Sequence, residues 1–340
     1  MLTLRAWRIF FFVALIFTAT GEAHAQIETE AQYAILLDVE TKTVLFEKKA
    51  DELMEPASMS KLMTLALVFE ALESGKITMD TEFTVSLFAW KTGGAPSRTP
   101  AMFAPLNTQV SVRDLINGAI VQSGNDACII LAEGIAGSED AFVGMMNEYA
   151  RKIGLTKSTF GNSTGLPHPN QRMTARDLAM LALHIIEKYP KYYPLFAQKE
   201  FRYRSHMFYN RDPLLSANIG ADGLKTGVTE GGGYGLVGSA VQAGRRLIIV
   251  QNGVQSQGGR KEDGLRMVNW GFRNFEKFTL FNAGETVGDA LIWGGQQRYV
   301  KLRGLGGAPL QVLLPKNAKA KKLAGKIVYK GPLKPPLAIG

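Results

Sequence analysis

Residues 56–61, Pro56-Ala57-Ser58-Met59-Ser60-Lys61, decide how the rest of the chain is read. Behind them Leu62, Met63, Leu65, Ala66, Val68, Phe69 and Leu72 recur at helical spacing as far as Gly75. That spacing predicts a buried helix with Ser58 and Lys61 in its first turn. An offset of three puts both side chains on one face. There the lysine amine reaches the hydroxyl, and burial disfavours the charged form, so neutral amine is available to take the serine proton. Ser58 becomes a nucleophile without histidine. Taken alone, Ser-x-x-Lys reads as a helix cap beside a solvated charge, so its meaning depends on companion motifs.

Two further stretches supply them. Ser111-Val112-Arg113-Asp114 caps a predicted helix through Leu115, Ile116, Ala119 and Ile120, and a second helix runs from Ala127 to Ile135. Ser123-Gly124-Asn125 falls at the break between them, where a hydroxyl and an amide can face the Ser58 pocket. By itself that triplet is a helix-connecting turn. Lys225-Thr226-Gly227 opens the most strand-like part of the chain, in which Tyr234–Ala240 and Arg246–Val250 flank Ala243-Gly244 as a hairpin. An edge strand beginning at Lys225 can pair with an extended peptide, and Lys225 and Thr226 can meet its terminal carboxylate.

At the start, Arg5 and Arg8, the apolar run Ile9–Phe17 and Ala23-His24-Ala25 have the order of a secretory signal peptide, predicted over residues 1–25. The run is short for a membrane span. The single cysteine, Cys128, can form no internal disulfide and sits in the apolar stretch Ala127–Leu131 as a small core residue. After the leader only His168, His184 and His206 remain, without metal-ligand spacing, so neither a metal nor a cofactor is expected. Of the net charge of +9, residues 291–340 carry +10 with no acid and the leader +1, leaving −2 for residues 26–290. The basic tail suits anionic lipid headgroups or an acidic polymer, or is solvated surface charge. Nucleic acid is not an expected partner behind an export signal.

Tyr33–Asp38 and Val44–Glu47 read as an opening hairpin whose first strand is apolar on both faces. Thr81–Val112 reads as a loop-rich excursion near the site. Further helices follow Ser138 and Thr174, and another, containing Leu265, Val268, Trp270 and Phe275, comes after Gly258-Gly259-Arg260. Gly161-Asn162-Ser163-Thr164-Gly165 matches the G-x-S-x-G elbow of α/β-hydrolases, but Leu166-Pro167-His168-Pro169 cannot supply the helix that elbow requires.

Pro-Ala-Ser-Met-Ser-Lys-Leu-Met-Thr, Ser-Gly-Asn-Asp-Ala, Asp-Gly-Leu-Lys-Thr-Gly and Asn-Trp-Gly-Phe-Arg, in that order, resemble segments of the serine-type D-alanyl-D-alanine carboxypeptidases, the low-molecular-mass penicillin-binding proteins. The resemblance covers residues 26 to about 277 and implies an α+β fold, an antiparallel sheet between helices with the site at its edge. It also implies a substrate, peptidoglycan stem pentapeptides ending in D-Ala-D-Ala, and covalent inhibition by β-lactams. Carried over by position, Ser58 is the nucleophile, Lys61 its base and Ser123 the proton relay, with Lys225 tuning it. Asn125 holds the substrate amide, and Thr226, Gly227, Val228, Arg211 and Arg260 lie around the bound substrate. The amides of Ser58 and Val228 form the oxyanion hole. Residues 278–340, with strand-like runs at Tyr299–Leu302, Gln311–Leu314 and Lys326–Tyr329, resemble the family's small C-terminal β-sandwich, basic and cut short at Gly340 without the family's usual amphipathic membrane helix. The resemblance with the leader implies a periplasmic enzyme, in peripheral contact with the inner membrane if the tail binds it.

Val228 departs from the family, which commonly has an aromatic, histidine or polar residue there. Two other classes share parts of the pattern. A class A β-lactamase needs a Glu-x-x-Leu-Asn carboxylate before the third motif, and no glutamate between 126 and 224 has that context. A non-catalytic peptidoglycan-binding protein would have no use for the complete set Ser58, Lys61, Ser123, Asn125 and Lys225.

Overall fold

A strand with no polar face has to be covered on both sides, and Tyr33-Ala34-Ile35-Leu36-Leu37-Asp38 is such a strand. In the computed structural model, which describes residues 27–304 and 307–316, this run is β1 (Tyr33–Asp38). It lies between β2 (Val44–Lys48) and β9 (Arg245–Val254). With β8 (Gly233–Gln242) and β7 (Ala221–Thr229) these make a five-stranded antiparallel sheet in the order β2-β1-β9-β8-β7. Alternation divides the strand side chains between two cores. Ile35, Leu37, Ile248 and Val250 join the central helices, whereas Ala34, Leu36, Leu247 and Ile249 pack with Met267 and Val268 of α7 (Gln257–Asn274).

The central helices are α1 (Lys61–Glu73), α4 (Asn125–Ala136), α5 (Glu139–Lys152) and α6 (Ala175–Lys188). From Lys61 to Leu72 only Glu70 of α1 is not buried, the pattern of a helix surrounded by protein. The expected caps Ser111, Ser138 and Thr174 each accept a hydrogen bond from the amide three residues on, and Ser256 does the same for α7.

Several expectations are corrected. Ser58 lies in a 3-10 turn, Ala57–Ser60, that leads into α1, so it precedes the α-helix. The excursion from Thr81 to Val112 is more ordered than expected: β3 (Glu82–Thr84) pairs with β4 (Gln109–Ser111), and α2 (Leu87–Gly93) lies between them. α3 (Val112–Asn117) comes next, then a π-turn over Gly118–Gln122. Arg260 is inside α7, because the Ser256 cap starts that helix ahead of Gly258-Gly259. Phe275, expected in the helix, begins a strand. A hairpin of β5 (Glu200–Tyr203) and β6 (His206–Tyr209) adds to the expected elements.

After α7 the chain forms two small sheets. β10 (Phe275–Phe281) pairs with β13 (Leu310–Pro315), and β11 (Gly288–Leu291) with β12 (Tyr299–Leu302). The predicted leader 1–25 and the strand-like run Lys326–Tyr329 lie outside the described residues. Among the described residues no helix is long and apolar enough to cross a membrane.

One buried ion pair ties the sheet to α7. Arg245 Nε donates to Asp38 Oδ2 at 2.7 Å, while its other nitrogens donate to the carbonyls of Gly271 (3.0 Å) and Phe275 (3.1 Å), capping the helix end. Asp38 is fully buried, so loss of the arginine strands its charge. Arg245→Met is expected to lower the free energy of unfolding by about 3 kcal/mol, read from urea denaturation. Adding Asp38→Asn should recover part of the loss, whereas additive losses would mean that the two residues act separately.

Candidate active site

Lys61 is a lysine with no exposed surface, which is tolerable only if its nitrogen is satisfied. Its Nζ lies 2.9 Å from Ser58 Oγ, donates to Asn125 Oδ1 at 2.7 Å, and donates to the carbonyl oxygen of Thr164. The second and third partners accept only, so they take the two hydrogens of a neutral amine and leave its lone pair facing the Ser58 hydroxyl. A protonated amine would also be satisfied by the same three. Burial, reinforced by the nearby Arg211 guanidinium, brings the Lys61 pKa down to about 8.

Three segments hold this arrangement. The first is the turn before α1, where Ala57 is left-handed (φ 48°) and Met59 N donates to Pro56 O. The second is the break before α4: Ser123 is also left-handed (φ 63°), and Gly124 N donates to Gly118 O. Such conformations cost a residue bearing Cβ about 1 kcal/mol or more, and here they turn two hydroxyls into one cleft. The third is the loop Gly161–His168. Its G-x-S-x-G serine, Ser163, is buried, donates to Glu139 Oε1 at 2.6 Å, and accepts at its carbonyl from Thr64 Oγ1. Ser163 therefore fixes the loop that presents the Thr164 carbonyl. Gly165 passes so close that an added Cβ would stand 2.1 Å from Ala57 O, at a φ of +78°.

Lys225 extends from β7 toward Ser123. Its Nζ donates to Ser123 Oγ at 2.9 Å and lies 3.3 Å from Thr226 O. Burial first, and the positive charges of Lys61 and Arg211 second, put its pKa well below that of a free lysine. Asn125 Nδ2 donates to Thr99 Oγ1 at 2.8 Å. Neighbouring Asp126 accepts from the amides of Met102, Ala104 and Ala127, clamping the 99–104 loop to α4. Buried Cys128 has its thiol pushed up to about 11 by desolvation, so it packs as an uncharged group.

Ser58, Ser123, Asn125, Thr226, Gly227, Val228, Arg211 and Arg260 line one cleft of about 610 Å³, with Lys61 and Lys225 buried behind it. Arg260 stands over the Tyr234 ring at 5.6 Å. Its Nε and Asp212 Oδ2 are buried without a hydrogen-bond partner among the described residues, and burial pushes the Asp212 carboxyl up to about 7. His168, His184 and His206 do not line the cleft. Thr99, Asp126 and the Thr164 carbonyl join the site without having been expected there. The glycine pair of Gly161-Asn162-Ser163-Thr164-Gly165 is the one signal that could have pointed to the last of them, and its pattern suggests a hydrolase elbow instead.

A serine bonded to a buried lysine, with a second serine–lysine pair at the edge of an antiparallel sheet, defines a serine acyl-transfer site. The family model described as D-alanyl-D-alanine carboxypeptidase matches residues 19–256, and the chain belongs to that family. D-alanyl-D-alanine carboxypeptidase DacC of Escherichia coli K12 is 40% identical over 338 residues, 98% of this chain and 84% of the relative. Penicillin-binding protein 5 of Haemophilus influenzae superposes with a TM-score of 0.78 at 37% identity, over 86% of this chain and 84% of that one. Penicillin-binding protein D2 of Listeria monocytogenes, solved in its ampicillin-bound form, gives a TM-score of 0.63 at 29% identity, over 73% and 99%.

With the Lys61 pKa near 8, about one molecule in ten holds the neutral amine at pH 7 and about nine in ten at pH 9. The rate at which a β-lactam acylates Ser58 is expected to climb about tenfold across that interval with a midpoint near 8. Stopped-flow acylation at a series of pH values checks it, and a flat profile would show that Lys61 is not the base.

Proposed function

We propose that this protein removes the terminal D-alanine of peptidoglycan stem pentapeptides through an acyl-enzyme on Ser58. The observation that carries the reading is the Lys61 nitrogen, 2.9 Å from Ser58 Oγ, with both of its remaining partners acceptors. Ser58 Oγ attacks the carbonyl between the two D-alanines while its proton passes to Lys61. The oxyanion is received by the amides of Ser58 and Val228, a contribution of about 3 kcal/mol per donor in comparable enzymes. Collapse breaks the C–N bond, and Ser123, with Lys225 holding its oxygen, delivers the proton to the departing amine. Water then cleaves the ester by the same groups in reverse. Asn125 orients the substrate amide, and Thr226, Arg211 and Arg260 receive the terminal carboxylate along the open edge of β7.

A β-lactam forms the same ester, but its amine stays tethered and the acyl-enzyme persists. Among the described residues no aspartate or glutamate lines the cleft, so no carboxylate is at hand to drive rapid deacylation. That favours the carboxypeptidase over the β-lactamase reading. The same proposal takes residues 1–25 as an export signal, 26–277 as the catalytic domain and 278–340 as a small basic domain. It places the enzyme in the periplasm, its tail in reach of anionic headgroups at the inner membrane.

With a diacyl-L-Lys-D-Ala-D-Ala peptide, D-alanine release is expected to fall at least about a thousandfold in Ser58→Ala. A fluorescent penicillin should label the unaltered protein, fade slowly and fail to label the variant. Rapid penicillin hydrolysis without D-alanine release would establish a β-lactamase, and neither signal from a folded protein would leave a peptidoglycan-binding protein.

A further inference from the structure

The cleft holds more positive charge than one peptide terminus requires. Arg211 and Arg260 line it together with a third arginine, Arg98, and no carboxylate among the described residues lines it in compensation. Of the buried acids nearby, Asp126 is engaged with backbone amides, while Asp212 accepts from Leu214 N through one oxygen and offsets the charge of Arg260 rather than that of Arg98.

Arg98 is held in an unusual way. It caps a 3-10 turn, Ala95–Ser97, and is left-handed at φ 55°, where side-chain-bearing residues are uncommon. The residues beside it are pinned. Ser97 Oγ donates to Gly94 O and shares a hydrogen bond with Thr99 Oγ1, and Thr99 Oγ1 accepts from Asn125 Nδ2. Asn125 N in turn donates to Pro100 O at 2.7 Å. The backbone of Arg98 is thus tethered to the asparagine that also binds Lys61. Some other surface arginines are ion-paired, Arg113 with Asp80, Arg176 with Asp51 and Arg266 with Asp263. Arg98 has no ion pair or side-chain hydrogen bond among the described residues.

A third arginine, unpaired, in a cleft that no acid lines among the described residues favours a ligand with a second negative charge. We propose that Arg98 makes this carboxypeptidase prefer stem peptides whose residue before D-Ala-D-Ala carries a side-chain carboxylate over those with a side-chain ammonium there. The inference rests on the carboxypeptidase reading and names its substrate class. That residue lies about 7 Å along an extended chain from the terminal one, and a four-methylene side chain adds about 6 Å, so its carboxylate can occupy a different part of the cleft from the terminal one.

The test uses acyl-X-D-Ala-D-Ala peptides with the full-length protein. X is L-2-aminopimelate, L-lysine, or Nε-acetyl-L-lysine as the neutral reference; the first two match in side-chain length and differ in charge. The expected order of kcat/KM is aminopimelate, acetyl-lysine, lysine, with a span of about tenfold carried mainly by KM and narrowed by about 0.5 M NaCl. In Arg98→Gln the span should shrink to about twofold, the aminopimelate peptide losing and the lysine peptide gaining. Arg98→Lys should fall between, and penicillin labelling reports that each variant is folded. Equal rates for the three peptides, a span unchanged in Arg98→Gln, or an equal loss on all three would overturn the proposal. Absence of D-alanine release from every peptide by folded protein would instead overturn the carboxypeptidase reading, and this inference with it.

Discussion

Everything in the cleft depends on keeping the Lys61 amine dry. In water a lysine is protonated at neutral pH and cannot accept a proton; enclosed by α1, α4 and the 161–168 loop, its pKa falls to about 8. Enclosure alone would be destabilising, since a buried amine without partners loses its hydration. The structure offsets that with two acceptors besides Ser58, one from a side chain and one from the backbone. Both protonation states are then satisfied, as the proposed proton transfers require.

The remainder of the fold can be understood as the support of that enclosure. α1 is apolar around nearly its whole circumference because it has neighbours on every side, and its N-terminal end is where Ser58 emerges. Glu139 anchors the loop behind Lys61 by gripping Ser163, and Asp126 anchors the loop in front of Asn125. Neither carboxylate enters the cleft. The second lysine, Lys225, is depressed chiefly by its own burial and in part by the charge of the first.

The parts of this design carried by local patterns were legible in the sequence. Ser58, Lys61, Ser123, Asn125 and Lys225 are marked by motif order, the helix starts by Ser111, Ser138 and Thr174, and the central sheet by the apolar runs of β1, β8 and β9. What escaped has no local signature. The Thr164 carbonyl is a backbone group, identical in every residue, and the bond from Thr99 to Asn125 spans two loops. The β5–β6 hairpin turns at Arg204-Ser205, with Arg204 left-handed, where a glycine or asparagine would have announced it. Arg260 was misplaced for the opposite reason: Gly258-Gly259 looks like a helix breaker, but the Ser256 cap and the packing of α7 on the sheet prevail.

β7 closes one side of the sheet and has no strand beyond it among the described residues. A strand edge that no other strand pairs is a template on which an extended chain can grow, including another copy of the same protein in a partly unfolded state in which the buried Gly223–Gly227 segment is uncovered. The strand turns the amine of Lys225 inward and carries Gly227, which discourage indiscriminate pairing. The feature proposed to admit a peptide is therefore also a colloidal hazard. Any ligand lying along β7 would act as a stopper, so the occupied enzyme should stay dispersed under conditions in which the empty one begins to self-associate.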